Sequence, residues 1–240
     1  MVTALIFAGG TGQRMNSRAK PKQFLELYGK PIIIFTLEHF EKHPKIDNIV
    51  IVCLEYWIDT LKLLLHRYDI NKVILIVPGG ATSHDSIYNG LLAMKSYCKA
   101  DDIVLIHDGV RPLITDKLIS DNIVKVKECG PTITVEPVIE SVIKSQDGNL
   151  IDDVPNRNSM YIAKAPQSFR YGMILETYQR ARKDGVVTID SSHLLSIYGI
   201  KMHIVKSTPN NIKVTAPSDY YIFRALYESI ENRQILGYDF

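Results

Sequence analysis

The sequence predicts an α/β fold: a Rossmann-like, mostly parallel β-sheet flanked by helices, with a β-hairpin arm protruding from it. Three observations predict it. Short β-rich runs recur at intervals that leave room for a helix between them. The intervening segments carry apolar residues at helical spacing. The early runs are apolar nearly throughout, as expected of parallel strands covered on both faces. Ligands on such sheets gather outside the carboxyl ends of the strands, so the residues directly after each run are where chemistry is expected.

The first run, Thr3–Phe7, delivers the chain into Ala8-Gly9-Gly10-Thr11-Gly12-Gln13-Arg14-Met15, and Pro21-Lys22-Gln23-Phe24 follows closely. Glycines let backbone N–H groups approach an anion. Arg14, Arg18, Lys20 and Lys22 fall within nine residues that contain no acid. The pattern fits a triphosphate clamp. A dinucleotide fingerprint counted from Gly10 would need glycine where Met15 stands, and the G-x-x-x-x-G-K-[ST] loop is absent. Two readings remain. One is a nucleotidyltransferase loop, with backbone amides on the β- and γ-phosphates and Arg14 and Lys22 at the α-phosphate. The other is a solvated basic loop.

Pro31–Phe40 opens with proline at a helix start and reads as the first crossover helix. The run Asn48–Cys53, the helix Thr60–His66 and the run Lys72–Val77 continue the alternation. Pro78-Gly79-Gly80-Ala81-Thr82-Ser83 then turns into a helix over Ser83–Tyr97. Its glycines permit close approach of a flat base, and Ser86 on the first helical turn offers a directional hydrogen bond. Capping of the helix by Thr82 or Ser83 is the competing reading of these hydroxyls, evenly balanced for Ser83, whereas Ser86 reads as a binding group.

The run Asp102–His107 leads into His107-Asp108-Gly109-Val110-Arg111-Pro112. Asp108 can hold a metal or a hydroxyl there, and Arg111 can grip phosphate. The competing reading is an Asp–Arg pair that closes the loop. His107 reads as a packing residue. Asp116–Val126 is the next helix and Thr132–Pro137 the next run.

From about residue 139 to 169 the rhythm changes. Ser141–Lys144 and Asn149–Val154 flank Gln146-Asp147-Gly148 and read as a hairpin, and Asn158–Lys164 as another short extended piece. Two isolated strands are marginal in water, so this arm is expected to pack on a partner subunit. Arg157, at its base, is either a surface residue or a contact reaching across a dimer. The core resumes with a helix over Met173–Lys183, a short helix around Ser191–Tyr198 and a run at Lys201–Lys206. In Asn210-Asn211-Ile212-Lys213-Val214-Thr215, period-two alternation puts Lys213 and Thr215 on one side, either as a phosphate site or as an edge strand with an exposed lysine. A helix from about Ser218 to Arg233 follows, and residues 1–240 read as a single domain.

Composition narrows the function. With 46% hydrophobic residues and a formal net charge of +2, nucleic-acid binding gets no support. Cys53, Cys98 and Cys129 are widely spaced and form no C-x-x-C pair, which suggests reduced thiols. The first apolar run is too short for a signal peptide and no stretch is long enough to span a bilayer, so a cytoplasmic protein without a membrane partner is expected.

Taken in order, AGGTGQRM, PKQF, GG-x5-SI, HDGVRP, PNRN, APQSF and NIKVT resemble the cytidylyltransferases of the 2-C-methyl-D-erythritol 4-phosphate and ribitol-5-phosphate type, over nearly the whole chain. The spelling Pro-Asn-Arg-Asn-Ser-Met-Tyr followed by Ala-Pro-Gln-Ser-Phe is more similar to the ribitol-phosphate branch. The resemblance implies one nucleotidyltransferase domain that converts CTP and D-ribitol 5-phosphate into CDP-ribitol and pyrophosphate; the alternative acceptor is 2-C-methyl-D-erythritol 4-phosphate or another polyol phosphate. It implies Arg14, Lys22 and Lys213 as catalytic cations, and Ala8, Gly9, Gly10, Thr11, Gly12, Gly80 and Ser86 around CTP. Asp108, Arg111, Lys213 and Thr215 would line the acceptor site, with Ser141 and Arg157 supplied by the neighbouring subunit of a homodimer. Mg²⁺ is the implied cofactor, with Asp108 its candidate ligand. The chain departs from the family where Ser83 replaces a frequent arginine and Ala81 a frequent acid.

Overall fold

The computed structural model describes residues 1–10 and 20–236, and the side chains up to residue 232. In chain order the strands are β1 (Val2–Ala8), β2 (Glu26–Leu27), β3 (Lys30–Pro31), β4 (Asn48–Cys53), β5 (Val73–Pro78), β6 (Ile103–Asp108), β7 (Thr132–Pro137), β8 (Tyr161–Arg170) and β9 (His203–Lys206). The helices are α1 (Ile32–Lys42), α2 (Ile58–Arg67), α3 (Ser83–Ala93), α4 (Asp116–Cys129), α5 (Tyr171–Asp184), α6 (Ser191–Ile197) and α7 (Pro217–Leu236).

One sheet runs β5-β4-β1-β6-β8-β7-β9, and β2 and β3 form a small separate ribbon. Strands β5, β4, β1 and β6 are parallel, β8 is antiparallel to both its neighbours, and β7 and β9 are parallel. The chain leaves β1 toward β4 and β5, then returns to the other side of β1 with β6. That reversal opens a crevice at the carboxyl ends of β1 and β6, the position where open α/β sheets bind ligands.

Side-chain alternation sorts the core into two layers. Ala4, Ile6 and Ala8 of β1 pack with α1, α2 and α4, whereas Leu5 packs with α3, α5 and α6. Each fully buried aliphatic side chain contributes about 1.5–3 kcal/mol by leaving water. A third cluster docks α7 near the crevice: Phe223 meets Phe35 edge to face at 5.3 Å and is buried with Val110 and Val214. No helix among the described residues is long and apolar enough to cross a membrane. Cys53, Cys98 and Cys129 are free thiols.

The structure corrects the sequence reading in three places. The hairpin expected from Ser141–Lys144 and Asn149–Val154 has no strands; one antiparallel bridge, Lys144 with Asp153, marks its stem. Asp147 builds a local turn instead, its carboxylate accepting from the Asn149 and Leu150 N–H groups, with Gly148 at φ +76°. Ile143, Leu150 and Ile151 stay exposed, so among the described residues no apolar packing covers this pairing. The piece expected at Asn158–Lys164 is a 3-10 turn, Arg157–Ser159, followed by β8, which enters the sheet and runs to Arg170. Pro166 lies inside β8, and a register shift between Ile133 and Val135 of β7 lets the sheet accommodate it. Finally, the helix expected over Ser83–Tyr97 ends as α3 at Ala93 and continues as a 3-10 turn.

Candidate active site

Two adjoining cavities open at the carboxyl ends of the parallel strands. The first, about 510 Å³, lies between the glycine segments after β1 and β5 and is lined by Ala8, Gly9, Gly10, Lys22, Gly80 and Ser86, with Asp108, Lys213 and Thr215 on its far side. The backbone approaches itself closely here. A Cβ on Gly9 would lie 3.3 Å from Ser86 Oγ and 3.5 Å from the Gly79 Cα, so the two loops meet with Ser86 between them. Ser86 is buried and its Oγ accepts from the Gly80 N–H at 3.0 Å, which leaves its own proton to donate. Of the two candidate caps, Thr82 takes the role: its Oγ1 accepts from the Asp85 N–H at 3.0 Å.

Asp108 ends β6 and is buried. The Arg111 Nε donates to its Oδ2 at 2.7 Å, and Lys213 Nζ sits 2.5 Å from its Oδ1. Burial pushes the Asp108 carboxyl upward, but Lys213 and Arg111 outweigh it and hold the group well below the usual carboxylate range. Arg111 also donates to the Asn211 carbonyl at 3.0 Å, so this buried guanidinium closes the loop after β6. The loop-closing Asp–Arg pair therefore exists, and it is joined by a lysine from a hundred residues later. The Val214 N–H donates to the Val110 carbonyl at 2.9 Å, which fastens the segment in register. Val214 points into the α7 cluster, and Lys213 and Thr215 on either side of it line the first cavity, as period-two alternation requires.

His107 is buried against Phe40, ring centroids 5.1 Å apart, as expected of a packing residue. Burial pushes its pKa down to about 3. Ser141 and Arg157 are exposed and line neither cavity; Arg157 donates to the Ile139 carbonyl at 2.9 Å, across the base of the arm. Thr11, Gly12 and Arg14 lie outside the described residues.

The second cavity, about 710 Å³, shares Asp108, Lys213 and Ser83 with the first and extends toward β8 and the loop before α6. Its wall includes residues that sequence reasoning passed over: Lys164, Gln167, Thr188, Asp190 and His193. Lys164 is ion-paired with Glu136 of β7. Gln167 donates to the Asp190 carboxylate at 3.1 Å and accepts from the Ser192 N–H at 3.1 Å, which ties β8 to the start of α6. The APQSF motif was the available signal, since it places Gln167 inside a segment singled out for its spelling. Gln23, also passed over, lines the first cavity beside Lys22.

Among the described residues no three His, Cys, Asp or Glu side chains cluster to hold a metal. Asp108 is the one carboxylate among the described residues lining the first cavity. The walls thus offer glycine backbone and lysine to an anion, with a single acid beside them.

Known proteins resemble the chain along nearly its whole length. The family described as "IspD: 2-C-methyl-D-erythritol 4-phosphate cytidylyltransferase" matches residues 2–229. A Vibrio parahaemolyticus protein named ribitol-5-phosphate cytidylyltransferase is 47% identical over 238 residues, 99% of this chain and 100% of that protein. A Streptococcus agalactiae protein of the same name is 44% identical over the same fractions. Among solved structures, the 4-diphosphocytidyl-2C-methyl-D-erythritol synthase of Anaerococcus prevotii superposes with a TM-score of 0.82 at 26% identity, covering 95% of this chain and 96% of that one.

Proposed function

We propose that this chain, which belongs to the 2-C-methyl-D-erythritol 4-phosphate cytidylyltransferase family, transfers the cytidylyl group of CTP to D-ribitol 5-phosphate, giving CDP-ribitol and pyrophosphate. The observation that carries the reading is the convergence of glycine backbone, Lys22 and Lys213 on one cavity at the carboxyl ends of β1 and β6. The choice of acceptor rests on the relatives at 44–47% identity that are named for ribitol 5-phosphate and match end to end.

CTP and a polyol phosphate are both polyanions, and bringing one phosphate to the α-phosphorus of the other requires positive charge. An ionised oxygen of the acceptor phosphate attacks the α-phosphorus in line, the bond to the β-phosphate oxygen breaks, and pyrophosphate leaves. No protein nucleophile is needed. In this reading the segment Ala8–Gly12 with Gly80 and Ser86 seats CTP, and Arg14 and Lys22 stabilise charge developing at the α-phosphate. Lys213, Thr215, Arg111 and Asp108 face the acceptor. Asp108 orients Lys213, which lies within ion-pair distance.

Mg²⁺ fits this donor set as an ion carried with the triphosphate. It commonly takes one or two carboxylates together with substrate phosphates, and Asp108, already paired with Arg111 and Lys213, is the single acid that would share its charge with the ion here. When bound it neutralises phosphate charge. The arm's exposed Ile139, Ile143, Leu150 and Ile151 favour a homodimer in which Ser141 and Arg157 reach the partner's acceptor site. The reaction belongs in the cytoplasm, where CTP is made.

Two measurements test the reading. Pyrophosphate release, followed with CTP and each polyol phosphate separately, should be fastest with D-ribitol 5-phosphate. Faster turnover with 2-C-methyl-D-erythritol 4-phosphate would replace the acceptor. Lys22→Ala should lower turnover on the order of 100-fold or more while the fold persists, because the lost charge acts chiefly in the transition state. Wild-type turnover in that variant would remove Lys22 from the mechanism.

A further inference from the structure

Gln23 is 1% exposed although it lines the first cavity. Its Nε2 donates to the Ala8 carbonyl at 2.6 Å and lies 3.3 Å from the Gly10 carbonyl, a second acceptor for the same amide. Both carbonyls belong to the glycine segment that follows β1. Carbonyl oxygens carry partial negative charge, and two of them facing a triphosphate unpaired would oppose its binding. The Gln23 amide occupies them both. The Ala8–Gly9 peptide is planar, so fixing its carbonyl also fixes the Gly9 N–H on the opposite edge.

The other end of this contact is equally constrained. Gln23 lies in the 3-10 turn Lys22–Phe24, closed by the Phe24 N–H donating to the Pro21 carbonyl at 2.9 Å. Phe24 anchors that turn in the core, stacked on Trp57 with ring centroids 4.5 Å apart. Lys22, the neighbouring residue, therefore stands on a turn joined to the glycine segment through the Gln23 side chain.

We infer that Gln23 is a positioning residue: its carboxamide sets the spacing between the glycine segment and Lys22, and so aligns the two halves of the triphosphate site. The inference rests on reading the cavity as the CTP site. Neither half needs Gln23 in order to fold, since β1 is fixed by its strand pairs and the turn by Phe24. Alignment is what the amide adds.

The test uses Gln23→Glu and Gln23→Leu in the full-length protein, with pyrophosphate release from CTP measured across pH. Ionised, the carboxylate of Gln23→Glu offers two acceptors to two carbonyls and repels them. Protonated, it regains one O–H donor. Burial next to carbonyls raises its pKa, so protonation falls within the range of the assay. Misalignment of this kind costs about 100-fold, and we expect a kcat loss of that order for Gln23→Glu near pH 8. The loss should shrink as the pH falls to about 6, whereas the Gln23→Leu deficit should stay constant over that range. A packing defect alone would depress both variants without that divergence.

Equal pH profiles for the two variants, or kcat and KM for Gln23→Glu that match wild type at pH 8, would overturn the inference and leave the CTP reading intact. A wild-type protein that neither releases pyrophosphate nor gains thermal stability from CTP would overturn the CTP reading and the inference together.

Discussion

Asp108 shows how one buried side chain joins two segments of the fold. Its carboxylate sits between the Arg111 guanidinium and Lys213, and Asn at this position would leave two cations facing a neutral amide. Removing one partner of a buried ion pair costs about 3–5 kcal/mol. Lys213 is 35% exposed and water shields it in part, so the lower end applies. We expect Asp108→Asn to lose about 3 kcal/mol in urea unfolding at pH 7 and to raise KM for the acceptor. An unchanged unfolding midpoint would show that the three groups are not coupled. Because the folded pKa is depressed, this contribution is present above the unfolded value of about 3.9 and disappears only as pH falls below it. His107 acts nearer neutrality. Burial against Phe40 holds its folded pKa at about 3, so the unfolded state takes up a proton that the folded state refuses as pH falls below about 6.5. Its share of stability is intact above that value, and about 2 kcal/mol is gone by pH 5. Among the described residues its Nδ1 has no hydrogen-bond partner, and its Nε2 lies 3.5 Å from the Arg111 carbonyl, so an apolar side chain gives up little. His107→Leu should therefore reduce by about 2 kcal/mol the stability that is lost between pH 7 and pH 5. Matching losses in variant and wild type would assign the acid sensitivity to other groups.

At the scale of elements, the first cavity depends on how closely the turn after β5 meets the first turn of α3. A Cβ built on Gly80 would lie 2.3 Å from the Asp85 Cβ and 3.0 Å from its backbone carbon. Gly80→Ala must therefore displace the turn that carries Ser86, and overpacking of this kind costs about 1–3 kcal/mol. If about 1.4 kcal/mol of that falls on nucleotide binding, KM for CTP rises about tenfold; unchanged CTP kinetics would show that α3 yields without moving the site. The sequence made this turn visible because glycine and serine are spaced around a helix start, and Asn48–Cys53 and Thr132–Pro137 match the observed strands end to end. Apolar runs covered on both faces leave little ambiguity about where a strand lies. β8 was harder to see. Pro166 within it reads as a strand breaker, and only the register shift in β7 explains why it is tolerated. Gln23 and Asn211 were missed for a different reason. Their partners lie 15 and 100 residues away, on loops whose proximity is created by the sheet and not by any local pattern. The wall formed by Gln167 and Asp190 was hidden in the same way, since β8 must enter the sheet before those residues face the cavity.

For the whole molecule, the arm is a segment whose apolar side chains the described fold leaves exposed. Leu150 is 71% exposed and Ile139 79%, with Ile143, Ile151 and Val154 near them in sequence, and a single bridge is the only strand pairing between residues 139 and 160 among the described residues. Apolar groups concentrated in this way fit the proposed homodimer, in which a second copy of the chain would supply the same groups in return. Arg157 and Ser141 stand on this arm and line neither cavity of their own chain, which fits the proposed contact with an acceptor bound in the partner. Charge placed on the arm should separate the subunits without unfolding them, because exposed positions seldom carry more than about 0.5 kcal/mol of folding stability. We expect the wild type to sediment at twice the 27.2 kDa of one chain, and Ile143→Asp combined with Leu150→Asp to sediment at the mass of one. KM for the polyol phosphate should rise in the separated protein, while KM for CTP holds, since the glycine segments, Lys22 and Ser86 all come from one chain. A wild-type protein that sediments as a single chain while turning over at full rate would exclude any contribution of Ser141 and Arg157 across a subunit boundary.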